Sequence, residues 1–223
     1  MKKVLIAVSS SMPFTSTFFS KALAETYALG ATEDIEFDFF WSPDEHVYRN
    51  EAVELIQNQG IDTLVLIKPH IQWVASDLIN LIKSESLVEG IVTKNFYSPN
   101  HSYKAYLNTP KKDQPITAKF LELDLVKIEK EVFDRIKDFV INVNFKDKEN
   151  IIEQVPMYWY STANESGPIS QDLNFCLNLE KAEIPIIINP NMAIWEHVWS
   201  PYKTYIGQEF KKDFVEEGFK EVE

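Results

Sequence analysis

The sequence predicts an α/β fold: a mostly parallel central sheet with helices on both faces. Two observations carry that expectation. Short apolar, β-branched runs alternate with stretches of helical spacing from the first residues onward, the order expected of a parallel sheet wrapped by crossover helices. Two of the runs, Val4–Val8 and Leu64–Ile67, are continuously apolar, as in strands buried on both faces. A chain of 223 residues with 45% hydrophobic content can bury one sizeable core, so a single domain over 1–223 is expected.

Val4–Val8 reads as the first strand. Ser9-Ser10-Ser11-Met12-Pro13 follows as a hydroxyl-rich loop able to hold an anion, which makes Ser9 a candidate ligand contact. The loop lacks the glycine spacing of a P-loop or dinucleotide fingerprint. Phe18, Phe19, Ala22, Leu23 and Tyr27 then fall on one helical face. Ile35–Trp41 alternates acidic and apolar residues, as a half-exposed strand does. Asp44–Gln59 repeats Val47, Val53, Leu55 and Ile56 at helical spacing, and Gly60 is placed to end that helix.

Ile61–Leu81 is the centre of the reading. Its buried strand stops at Lys68-Pro69-His70, because proline cannot donate to a sheet ladder and lysine resists a core. A helix with Leu78, Ile79 and Ile82 on one side follows. In open α/β sheets ligands bind at the carboxyl edge of the strands, which directs attention to Lys68 and His70. Leu87–Phe96 reads as a strand and 97–118, with three prolines, as a long surface excursion. Lys119–Ile128 reads as one strand, Glu129–Val140 as a helix with Val132, Phe133, Ile136 and Phe139 inward, and Asn142–Asn150 as charged loop. Ser161–Ile169 reads as loop, Ser170 as the cap of a helix over Gln171–Lys181, and Ile184–Asn189 as a strand. Pro185 puts that strand near an edge or marks its start. The tail carries Trp195, His197, Trp199, Tyr202 and Tyr205, then an acidic end, and no internal repeat is visible.

A net charge of −12 with scattered lysines disfavours nucleic acid as the main partner, since phosphate neutralisation needs a basic face. No run approaches the ~18 apolar residues of a membrane span. The start, MKKVLIAVSS, has an apolar run below the ~7–15 residues of a signal segment and reads as a strand. One cysteine, Cys176, leaves no internal disulfide and fits a reducing cytoplasm.

Four segments together resemble the GT-A fold nucleotide-sugar glycosyltransferases, particularly the short, phage-like members. They are Val47-Tyr48-Arg49-Asn50 with Glu51-Ala52, Asp62–Asp77, Ser170-Gln171-Asp172-Leu173-Asn174-Phe175-Cys176, and Asn189-Pro190-Asn191 through Glu196-His197. They look like the Arg-Asn motif, the strand ending in Asp-x-Asp, the Glu-Asp-x-x-Phe-Cys helix start, and the late strand ending in a metal-binding histidine. The likeness spans roughly residues 1–205. It implies a nucleotide-binding half over 1–96, an acceptor half over 97–205, and an acidic tail over 206–223.

The resemblance also implies roles. Arg49, Asn50, Lys68 and Ser9 would hold the donor, His70 and His197 a Mn²⁺ or Mg²⁺ ion, and Asp172 would act as base toward an acceptor hydroxyl. The departures fall at the chemistry: the Asp-x-Asp position is Lys68-Pro69-His70, the glycine-rich acceptor turn is Leu121-Glu122-Leu123-Asp124, and the first acid of the Glu-Asp pair is Gln171. A protonated lysine cannot be a metal ligand and repels a divalent cation. Lys68 is therefore expected to neutralise the leaving diphosphate, with metal dependence altered or absent. Each residue has a plainer reading too. Lys68 is then a solvated strand-end lysine and Arg49 pairs with Asp44, Glu45 or Glu51. Asp172 serves its helix dipole, and His197 packs among the tryptophans. Two functions follow: sugar transfer from a nucleotide-diphosphate donor to an unknown acceptor, or a catalytically inactive, phage-related protein keeping the fold for binding or structure.

Overall fold

The computed structural model describes residues 1–10, 17–44, 47–91, 105–108, 115–146, 152–164, 167–189, 192 and 194–196. The first half runs β1 (Lys2–Ser9), α1 (Thr17–Gly30), β2 (Ile35–Ser42), α2 (Tyr48–Gln59), β3 (Thr63–Ile67), β4 (Ile71–Trp73), α3 (Ala75–Lys83) and β5 (Val88–Gly90). Then come β6 (Ala105–Leu107), β7 (Thr117–Leu121), β8 (Leu125–Glu129), α4 (Lys130–Ile136), a 3-10 turn at Lys137–Phe139, β9 (Ile141–Lys146) and β10 (Ile152–Met157). The last elements are β11 (Thr162–Asn164), β12 (Gly167–Ile169), α5 (Gln171–Lys181), β13 (Ile186–Ile188) and β14 (Ile194–Glu196). No described helix is long and apolar enough to cross a membrane.

The main sheet has eight strands in the order β2-β1-β3-β8-β5-β13-β7-β6. Its two faces bury two separate clusters, and period-2 alternation divides each strand between them. Leu5, Ala7, Leu64 and Leu66 join Val53, Ile56, Val132, Phe133 and Phe175 under α2, α4 and α5. Val4, Ile6, Val8, Val65 and Ile67 join Phe19, Ala22, Leu78 and Ile82 under α1 and α3. This double burial is why β1 and β3 read as unbroken apolar runs. Gly60 ends α2 in the left-handed region at φ 67°, a conformation glycine adopts without Cβ strain.

Several expectations are corrected. The sheet is mixed. Pairs β1–β2, β1–β3 and β5–β13 are parallel, whereas β3–β8, β5–β8, β7–β13 and β6–β7 are antiparallel. Lys119–Ile128 is two strands broken at 122–124: β8 enters between β3 and β5, far from its chain neighbour β7 in the sheet order. Gly90 makes room for that path, since a Cβ there would lie 2.5 Å from Leu121 Cδ2. The predicted Leu87–Phe96 strand is described only as Val88–Gly90, with 92–96 outside the described residues. Ile141–Lys146 is a strand paired with β10, not charged loop, and β11 and β12 form a hairpin within the expected Ser161–Ile169 loop. Phe139 is more than a third exposed. Pro185 directly precedes β13, as a strand-start proline should, but β13 lies inside the sheet between β5 and β7. Most of the 97–118 excursion lies outside the described residues.

Candidate functional site

The carboxyl ends of β1, β3, β5 and β13 bring Ser9, Lys68, Ile91 and Asn189 to one edge of the sheet. Because β8 is antiparallel to β3, its first residues arrive at that edge as well, with Leu125 opposite Ile67. Asp124 precedes them. Its carbonyl accepts the Lys68 N–H at 2.9 Å and its carboxylate is ion-paired with the Lys68 ammonium. The Asp124 side chain is 0% exposed and that of Lys68 32%. A buried carboxylate of this kind persists only with a compensating partner, so Lys68 is anchored inward although its side chain remains about a third exposed. The Lys68 carbonyl accepts the Ile71 N–H at 3.0 Å, closing the turn that holds half-buried His70.

One residue earlier, the Leu123 N–H donates to Asp172 Oδ2 at 3.2 Å. Asp172 lies in the first turn of α5, whose cap is Ser170: its Oγ accepts the Leu173 N–H at 3.2 Å. Asp172 Oδ1 is ion-paired with Arg49 from α2, and Arg49 Nε donates to Tyr48 Oη at 3.1 Å. Arg49 thus takes its partner from α5, 123 residues away, not from the acids of its own helix. Burial alone pulls the Arg49 guanidinium pKa down, but Tyr48 and Asp172 outweigh it and the net shift is upward. The segment Leu123–Asp124 therefore ties two ion pairs into one network.

The other candidates are placed as follows. Asn50 Nδ2 donates to the Trp159 carbonyl at 2.9 Å, and its Oδ1 accepts the N–H groups of Tyr158 and Trp159 at 2.8 and 3.1 Å. That amide fastens the chain after β10 to α2. Ser9 Oγ donates to the Ser42 carbonyl at 3.1 Å, joining the ends of β1 and β2. His197 lies outside the described residues. Cys176 is packed in the core, where burial pushes its thiol up to about 12. It is expected to resist alkylation at neutral pH in the native protein and to react fully in denaturant; equal rates in both would show that the packing is wrong.

The described side chains do not fit the divalent cation implied by the resemblance. The buried carboxylate at the β3 end is already engaged by an ammonium, and no group of three His, Cys, Asp or Glu side chains is assembled among the described residues. Asp124 is the site residue that sequence reading missed. The available signal was the second of the two acids in the alternation Leu121-Glu122-Leu123-Asp124-Leu125. Glu89 was also missed: 6% exposed in the middle of β5, it accepts from Asn189 Nδ2 at 2.9 Å.

No known family profile matches the sequence. No curated protein matches it either. Solved structures do. The inositol-1-phosphate CTP transferase from T. maritima has a TM-score of 0.50 and 12% identity, covering 98% of this chain and 97% of that one. The chain shares its fold with that CTP transferase. A197 from STIV gives a TM-score of 0.49 at 12% identity over 89% and 87% of the two chains. A Drosophila β-1,4-galactosyltransferase 7 mutant in complex with manganese, UDP-Gal and xylobiose gives 0.48 at 10% identity over 95% and 79%. At 12% identity the likeness to the CTP transferase is one of fold alone.

Proposed function

We propose that this chain is a glycosyltransferase-like protein that moves a sugar from a nucleotide-diphosphate donor to an acceptor hydroxyl, with an internal ammonium in place of a metal at the diphosphate. The observation that carries this reading is Lys68: a cation on the carboxyl edge, ion-paired with a fully buried Asp124 and with about a third of its side chain exposed. In the reaction the bond between the sugar's anomeric carbon and the diphosphate oxygen breaks, and the diphosphate leaves with the electron pair. A bond from the acceptor oxygen forms, and the acceptor's proton is released. A fixed ammonium stabilises charge growing on the leaving group without having to reorganise.

Asp172 is the candidate acceptor of that proton: each of its oxygens takes one partner, the Leu123 N–H and Arg49, and keeps a lone pair for the acceptor hydroxyl. The same two contacts position Arg49 and the 121–124 turn. Residues 97–205 are assigned to the acceptor side. The engagement of Arg49 and Asp172 with each other favours the second reading, a fold-retaining binding protein without turnover.

Thermal melting with UDP, GDP, CTP and nucleotide-sugars, in EDTA and with Mn²⁺, separates the two. Donor binding at about 100 times Kd stabilises by about 2.7 kcal/mol and is expected in EDTA. Silence with every nucleotide at millimolar concentration leaves the binding-protein reading. Lys68→Asp is expected to abolish the shift in EDTA, and indifference to that change would remove Lys68 from the donor site.

A further inference from the structure

β2 is the terminal strand of the sheet, with β1 on one side and, among the described residues, no strand on the other. It is eight residues long. Phe39 and Trp41 are 42% and 40% exposed. They share a face with Phe37, which packs against Tyr27 at 5.2 Å between ring centroids. Glu36, Asp38 and Phe40 alternate onto the opposite face.

The backbone direction follows from the ends of the strand. The Asp34 carbonyl accepts from Lys2 N–H at 3.0 Å, and the Ser42 carbonyl from Ser10 N–H at 3.3 Å. Even-numbered residues therefore turn their hydrogen-bonding groups toward β1. Phe37, Phe39 and Trp41 turn theirs outward, because successive residues of a strand alternate. A long edge with outward backbone groups and exposed apolar side chains is a template for strand pairing.

We propose that β2 pairs antiparallel with β2 of a second copy of this chain, about a twofold axis through Phe39. A perpendicular twofold keeps each face of the sheet continuous, so opposing residues must come from the same face. Two central registers satisfy this. Centring on Asp38 sets the two Asp38 carboxylates opposite one another in a close pair, with Cα atoms about 4.5 Å apart, which like charges disfavour. Centring on Phe39 opposes Phe39 with Phe39 and Phe37 with Trp41, while Asp38 meets Phe40 and Glu36 meets Ser42. In that register no acid faces an acid, which matters for a chain of net charge −12. The outward N–H and C=O groups of Phe37, Phe39 and Trp41 then all find partners, and the aromatic rings form cross-strand pairs on one face. The sequence of this edge is thus complementary to itself in one register.

Sedimentation velocity of the full chain at tens of micromolar tests this. The expected mass is twice 25.9 kDa. Phe39→Lys is expected at the single-chain mass with unchanged circular dichroism, since position 39 directs neither its side chain nor its backbone into the β1 pairing. Phe39→Cys is expected to form an inter-chain disulfide on mild oxidation, because a hydrogen-bonded pair sits about 5.5 Å apart at Cα, within disulfide range. A wild-type chain that stays at 25.9 kDa over the whole concentration range overturns the proposal. So does a Phe39→Lys variant that remains paired, or Asp38→Cys cross-linking faster than Phe39→Cys.

Discussion

Replacing Arg49 with methionine is expected to destabilise the protein by about 3–5 kcal/mol, the usual cost of removing one partner from a buried ion pair. Arg49 is 8% exposed, and its guanidinium holds one oxygen of Asp172 while also donating to Tyr48 Oη. Methionine fills much of the same space but leaves the Asp172 carboxylate, 14% exposed, with the Leu123 N–H and the helix N-terminus for compensation. Urea denaturation of Arg49→Met, Asp172→Leu and the double variant gives the coupling directly. Most of the loss should return in the double variant, because removing both charges also removes the unpaired one. A single-variant cost below about 1 kcal/mol would place the pair among the weak, solvated ones.

Lys127→Met is expected to cost about 3 kcal/mol, through the buried serine oxygens it leaves without a donor. Lys127 is 0% exposed in the middle of β8. Its ammonium donates to the Ser84 carbonyl at 3.0 Å, to Ser84 Oγ at 3.1 Å and to the Ser86 carbonyl, and it pairs with Glu129 at 3.0 Å. Methionine fills the space and satisfies none of these. Lys2 and Thr63 continue to hold Glu129 at 2.8 Å each, so the cost falls mainly on the serine carbonyls after α3.

The pH dependence has a definite sign. Burial lowers the Lys127 pKa below its ordinary 10.5, against the pull of Glu129. Between the folded and unfolded values the unfolded chain binds more protons, so this group adds stability as pH rises toward 10.5. The stability gap between wild type and Lys127→Met should therefore widen as pH rises through the folded value toward 10.5. A gap that narrows over that range would mean that the fold favours the charged form.

Local reading succeeded where one segment carries the whole cause. β1 and β3 are apolar because both faces of each are covered, Gly60 ends α2 because its φ is positive, and Ser170 caps α5 with its own hydroxyl. It failed where pairing is set by distant segments. Nothing within Leu121–Glu129 states that its second half will run antiparallel between β3 and β5. That choice depends on which strand edges remain open after the first half has assembled. The acid missing from the β3 end is for the same reason supplied from the turn before β8, by Asp124.

The sequence by itself determined the layered α/β class, the main helices and the candidate residues at the strand ends, because period and capping are properties of neighbouring residues. Tertiary structure alone decided which charges meet. Arg49 with Asp172 and Lys68 with Asp124 are brought together by α5 and by the turn that leads into β8. A buried charge selects its partner by proximity in the folded chain, and both of these pairs join segments far apart in sequence.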